Sequence, residues 1–180
     1  MNRKLKLQEL NRDSVEEFKV KEKHPIIVIL DNIRSLNNIG SFFRTCDAFN
    51  VQELILTGIT AQPPHREIQK TALGSTNSVD WRYFEESTEA LEYVKSLGYK
   101  IYAIEQTEKV ILMQDLNTNG EKTAVVFGNE VDGVKDDVIN MCDGVVEIPQ
   151  FGTKHSLNVS VCGGAVIWDL TKQFIQHASN

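Results

Sequence analysis

No stretch of this 180-residue chain approaches the ~20 consecutive apolar residues that a membrane-spanning helix requires. The basic start, Met1-Asn2-Arg3-Lys4-Leu5-Lys6, is followed by no apolar segment of the kind a secretory signal carries. A soluble cytoplasmic protein with no membrane partner is therefore expected. Cysteine is scarce. Cys46, Cys142 and Cys162 are odd in number, far apart and set in apolar contexts, which favours buried thiols over disulfides or metal ligands. His24, His65, His155 and His177 form no pair with metal-ligand spacing, so no metal site is expected. Glycine-rich phosphate loops are missing too. Neither GxGxxG after the first apolar run nor GxxxxGK[ST] occurs, which argues against a dinucleotide-binding dehydrogenase or a P-loop enzyme. Positive charge is also short, at a net −6, where a typical nucleic-acid binder carries a basic surface. The deficit is uneven. Residues 1–24 hold seven Lys/Arg against five Asp/Glu, a net +2 that leaves −8 on the remainder. That segment is either a solvated helix face or a contact for phosphate.

What is present is an alternation of short apolar runs with amphipathic segments. The length suits one domain with a real core. Leu5, Leu7, Leu10, Val15 and Phe18 recur near helical spacing and predict a helix over much of 5–21. Ile26–Leu30 is a β-branched run of the kind buried on both faces of a parallel sheet. Further strands are expected at 53–57, 79–84, 100–104, 123–127 and 144–148. Helices are expected at 39–49, 63–71, 87–97, 135–141 and 157–176, with Ser87 capping the third of these. The pattern gives an α/β fold with a mostly parallel sheet flanked by helices. Residues 106–122 form the longest irregular stretch and are a candidate mobile loop.

Polar groups cluster where strands should end, which is where ligands of open α/β sheets gather. Gly128-Asn129-Glu130-Val131-Asp132-Gly133 follows the run Ala124–Phe127. Gly128 there permits close approach of a ligand to the backbone, and Glu130 can hold a donor or orient a cation. The alternative is a plain strand-to-helix turn. Ser156-Leu157-Asn158-Val159-Ser160 opens the last apolar segment. Ser156 is either an N-cap or, with Asn158, a site group. Arg44 is either a helix-surface arginine or a guanidinium suited to gripping phosphate. His155 reads as a loop histidine.

Three of these segments, in this order, resemble the signature motifs of the TrmH/SpoU family of the SPOUT superfamily, whose members methylate RNA ribose. The first is Asn38-x-Gly40 with Arg44. The second is Gly128-Asn129-Glu130-x-x-Gly133, and the third is Ile148-Pro149 with Ser156–Ser160. The matched region runs from about 26 to 175. Tyr99–Thr107, Ile148-Pro149-Gln150 and Ile167-Trp168-Asp169 are similar to the catalytic domain of the Trm3/TARBP1-type enzymes, associated with a guanosine in the tRNA D-arm.

The resemblance implies a C-terminal deep trefoil knot across 128–160 and S-adenosylmethionine as cofactor. It implies transfer to a ribose 2′-hydroxyl, with tRNA favoured over ribosomal RNA. It implies Asn38, Arg44, Glu130, Ser156 and Asn158 as catalytic residues, and Thr107, Gly128, Ile148 and Leu157 as cofactor-binding ones. Residues 1–24 become a helical extension and 25–180 the methyltransferase domain. A homodimer through the closing helix is also implied, with Trp168 as either interface anchor or core residue. Val131 stands where many members have glycine, and Gln150 where many have methionine. The competing classes are a noncatalytic RNA-binding module and a small-molecule methyltransferase.

Overall fold

The computed structural model describes residues 2–178; Met1 of the expected extension and the last two residues of the expected domain lie outside them. Seven strands form one sheet: β1 (His24–Asp31), β2 (Val51–Thr57), β3 (Trp81–Phe84), β4 (Lys100–Ile104), β5 (Ile111–Leu112), β6 (Thr123–Phe127) and β7 (Gly144–Glu147). Six helices accompany them: α1 (Val15–Val20), α2 (Leu36–Ala48), α3 (Arg66–Ala72), α4 (Ser87–Ser96), α5 (Asp136–Met141) and α6 (Val159–Ala178). Strand order is β3-β2-β1-β6-β4-β7-β5, and every pairing is parallel.

The run Ile26–Leu30 is fully buried, as two-faced burial requires. Its period of two divides the core. Ile26, Val28 and Leu30 meet Phe42, Phe43, Ile68, Val166 and Leu170 from α2, α3 and α6. Ile27 and Ile29 meet Ala90, Leu91, Val94 and Val138 from α4 and α5. Register then fixes where the strands stop. Leu30 pairs with Phe127, Phe127 with Ile104, and Ile104 with Val146, so β1, β6, β4 and β7 end at one level. The strand order reverses between β1 and β6, and the crevice at such a reversal is where α/β sheets hold ligands.

Three expectations need correction. The helix over 5–21 is only a 3-10 turn at Leu7–Glu9 followed by α1. Asn11 has a positive φ of 45°, and Ser14 with Glu17 forms a capping box that starts a new helix. No α1 side chain is fully buried, and Phe18, half-buried under the Lys23 ammonium, is the most covered of them. Ser87 does not cap α4. Glu86 holds that position without a side-chain bond, while the buried Ser87 hydroxyl donates to Asp31 Oδ1. Residues 106–122 are not irregular throughout. Ile111–Leu112 adds the edge strand β5, and Met113, Leu116 and Thr118 are buried. Gln173 of α6 fastens this strap by accepting from Thr118 N (3.0 Å) and donating to Leu116 O (3.0 Å).

Helix α2 packs closely on α3 at Gly40. A Cβ there would lie 2.1 Å from Thr71 Oγ1 and 2.3 Å from Ile68 O. A backbone carbonyl cannot step aside, so Gly40→Ala should lower stability as overpacking does, dropping Tm by about 3–10 °C. Thermal unfolding by circular dichroism checks this.

Candidate active site

Helix α2 begins where Ser35 Oγ accepts from Asn38 N (3.3 Å). The amides of Arg34 and Ser35 just before it point outward and need an acceptor. Glu130, from the loop after β6, supplies one. Its carboxylate accepts from Arg34 N (2.9 Å), Ser35 N (3.0 Å) and Asn38 Nδ2 (3.1 Å). Partial burial alone would raise the Glu130 pKa. The amides of Arg34 and Ser35, with the Asn38 side chain, outweigh it and hold the carboxyl below its usual range.

Asn38 is the meeting point of the three motif segments. A carboxylate can only accept, so Asn38 Nδ2 faces Glu130 and Oδ1 faces the other way. There it accepts from Asn158 Nδ2 (3.2 Å) and Ser160 Oγ (3.3 Å). Asn158 in turn caps α6, its Oδ1 accepting from Ser160 N (3.0 Å) and Val161 N (3.3 Å). The cap is therefore Asn158 and not Ser156, which is exposed. Asn38 is only 8% exposed, so its loss would break the bonds to Glu130 and Asn158 together at a nearly buried point.

The loop 128–133 is closed by its own bonds. Asn129 and Gly133 exchange N–H···O bonds of 3.1 and 2.9 Å. Asn129 Oδ1 accepts from Val131 N (2.8 Å), and its Nδ2 donates to Asn32 O (2.8 Å). Gly128 is glycine for this reason, since a Cβ would sit 2.1 Å from Gly133 C and 2.2 Å from Val134 N. The space it leaves is filled by the returning loop, a different demand from the ligand approach expected of it. On the far side, Glu105 at the end of β4 accepts from Val134 N (3.0 Å) and Gln106 N (2.7 Å).

These loops enclose a cavity of about 660 Å³ at the C-terminal ends of β4, β6 and β7. Thr107, Gly128, Glu130, Ile148, Ser156, Leu157 and Asn158 all line it. Its apolar wall is Ile104, Phe127, Val146, Ile148, Leu157 and Cys162, while Glu105, Glu130, Asp132, Asp136 and Glu147 supply carboxylates. Such a volume and mixture suit a flat apolar ligand with a cationic group. Burial pushes the Cys162 thiol up to about 11, so no thiolate forms there at neutral pH. Among the described residues no group of three or more His, Cys, Asp or Glu is arranged to hold a metal ion.

Arg44 is not brought to this wall. It lies exposed on α2 and makes no hydrogen bond or ion pair among the described residues. Asp47, its natural partner three residues on, instead accepts from Ser78 Oγ (2.5 Å). His155 is exposed in the loop before α6. Sequence reasoning missed Asn32 and Glu105. Asn32 carries a signal, being an asparagine directly after a buried strand, and it adopts φ of +56°. Glu105 is marked only by its place after β4.

The SpoU rRNA methylase family profile matches residues 25–168. A tRNA (guanosine(18)-2′-O)-methyltransferase of Thermus thermophilus is 30% identical over 165 residues, covering 92% of this chain and 84% of that protein. The crystal structure of the Aquifex aeolicus TrmH/SpoU tRNA-modifying enzyme superposes with a TM-score of 0.80 at 25% identity, over 91% of this chain and 82% of that one. The AviRb SpoU methyltransferase of Streptomyces viridochromogenes, solved in complex with AdoMet, shares the fold with a TM-score of 0.77 at 23% identity, over 93% and 64% of the two chains.

Glu130 generates a pH signature. Its folded pKa lies below the ordinary 4.5 that it regains on unfolding, so ionisation favours the folded state. That contribution is complete above pH 4.5 and is lost as pH falls through the folded value. Glu130→Gln should therefore melt below wild type at pH 7, and the gap should close as pH drops below 4.5. Melting curves across pH 3–7 for both proteins read this directly.

Proposed function

The chain belongs to the SpoU methylase family, and from that premise we propose that it is an S-adenosylmethionine-dependent RNA methyltransferase acting on a ribose 2′-hydroxyl. The observation that carries the reading is the single carboxamide of Asn38, which ties the first motif segment to Glu130 and Asn158 on the wall of one cavity. The cavity fits the cofactor. Ile148, Leu157 and Phe127 offer apolar surface to an adenine, and the carboxylates of Glu105 and Glu147 complement a cation. Thr107, Gly128, Ile148 and Leu157 would hold it. S-Adenosylmethionine, when bound, supplies an electrophilic methyl on a sulfonium.

The chain's own contribution is positioning, worth up to ~7–11 kcal/mol in well-oriented systems. Glu130 is already engaged with three donors and held ionised, so it is a poor proton acceptor. We assign it, with Asn38 and Asn158, to fixing the loops. Ser156 presents an uncommitted hydroxyl at the rim. Arg44, exposed and without a bonding partner among the described residues, is suited to clamping RNA phosphate and offsetting oxyanion charge. A guanidinium is a donor with no acceptor site, which argues against it as a base.

Our substrate is tRNA, with a D-arm guanosine favoured, and ribosomal RNA is the second reading. The name of the Thermus relative supports the first, and the family description the second. A homodimer through α6 is part of the proposal. Val161, Trp168 and Ile175 recur seven residues apart and are 61%, 49% and 47% exposed. The Trp168 ring packs at a tilt of 39° on Phe49, with centroids 5.5 Å apart, and remains half exposed. The trefoil knot over 128–160, a helical extension before residue 25 and a cytoplasmic location complete the proposal. Among the described residues no helix is long and apolar enough to cross a membrane.

Purified protein given methyl-labelled S-adenosylmethionine with tRNA or ribosomal RNA should label tRNA, and nuclease digestion should release 2′-O-methylguanosine. Absence of transfer to either RNA would favour a noncatalytic binding module. Label in a small-molecule fraction, with none in RNA, would favour the third class. Arg44→Ala should lose about 100- to 1,000-fold in turnover. Its Tm should stay within about 2 °C of wild type, because it breaks no intramolecular bond. Wild-type turnover in that variant rejects the assignment.

A further inference from the structure

The loop between β7 and α6 contains the most exposed large apolar side chain among those described. Phe151 is 96% exposed, and every residue from 151 to 158 is exposed. Gly152 is not a packing turn, since a Cβ there would meet nothing within 4 Å. The neighbours of Phe151 belong to the site, because Gln150 and Ser156–Asn158 line the cavity. Phe151 is therefore one residue along the chain from the cavity wall, and its ring is in water. Covering that hydrated ring would be favourable, as burial of apolar surface is in general.

The charge around it says what kind of partner that is. No Asp or Glu occurs between Ile148 and Trp168, while Lys154 lies three residues from the ring. In a chain of net charge −6 this is a locally cationic stretch beside a cavity rich in carboxylates. An exposed aromatic ring on a loop that also carries a cation matches an unstacked nucleobase and its phosphate. A reacting nucleotide must also leave its stack to present its sugar to an enclosed pocket. We propose that Phe151 is a stacking platform for an unpaired base of the RNA, either the target nucleotide or its immediate neighbour. This rests on the RNA-methyltransferase reading above and adds to it a residue that selects single-stranded RNA.

Three measurements on the intact protein test it. The first is equilibrium binding of an end-labelled, unmodified tRNA transcript in the presence of S-adenosylhomocysteine. The others are calorimetry with S-adenosylhomocysteine alone and sedimentation. Phe151→Ala should weaken RNA binding by about 5- to 150-fold, the range for loss of one base–aromatic stack. It should leave S-adenosylhomocysteine affinity and oligomeric state unchanged. Phe151→Trp should restore RNA binding, and its added indole fluorescence should be quenched by RNA. Wild-type RNA affinity in Phe151→Ala overturns the platform. So does RNA loss accompanied by subunit dissociation, which would make a second copy of the chain the true cover of the ring. If wild type methylates RNA and Phe151→Ala binds it normally, the platform alone fails. If wild type neither binds nor methylates RNA, the underlying reading fails and takes the platform with it.

Discussion

The carboxamide of Asn38 is the bond that the site is built around. One amide has a donor end and an acceptor end, and here each end is committed by what faces it. Glu130, a carboxylate, takes the donor, which leaves the acceptor for Asn158 and Ser160. The helix after β1, the loop after β6 and the cap of α6 are thereby locked in one arrangement. Aspartate at position 38 would set two carboxylates against each other, and leucine would remove the bonds to Glu130, Asn158 and Ser160 together. Few side chains other than an amide satisfy both neighbours.

That amide can act only because the sheet delivers the segments to it. Parallel register brings β1, β4, β6 and β7 to a common end, and the reversal of strand order opens a crevice beside β6. Two-faced burial of Ile26–Leu30 makes that register hard to slip, because a shift by one residue exchanges the sets packed on opposite faces. The loop 128–133 then spends its own polar groups on closing itself and on Asn32. Its shape is accordingly set before any ligand arrives, which is the condition for catalysis by positioning.

The strands were legible in the sequence because their signals are local: β-branched runs of strand length, bounded by turn residues. The two-residue β5 was not, since Ile111-Leu112 is too short to show a period. The amphipathic spacing over 5–21 misled because spacing cannot say whether a partner surface exists, and α1 buries no side chain fully. Ser87 and Ser156 both look like caps by position. Asp31 and Asn38, distant in sequence, decided otherwise by claiming Ser87 and by pairing with Asn158. Residue types around the cavity were readable from motif resemblance. The reason for Gly128 was not, because the carbonyl and amide it accommodates belong to its own returning loop. Nor can periodicity place Arg44 relative to the cavity, since that depends on which helix face the sheet covers.

The account stands on the claim that the cavity whose wall carries Glu130 and Asn158, both held by Asn38, is the cofactor pocket. A crystal structure with S-adenosylhomocysteine tests it most directly. The ligand is predicted between the loops after β4, β6 and β7, against Thr107, Gly128, Ile148 and Leu157, with the bonds of Asn38 to Glu130 and Asn158 intact. Density for the ligand elsewhere on the molecule, or a bound state in which Asn38 lets go of either partner, would contradict it.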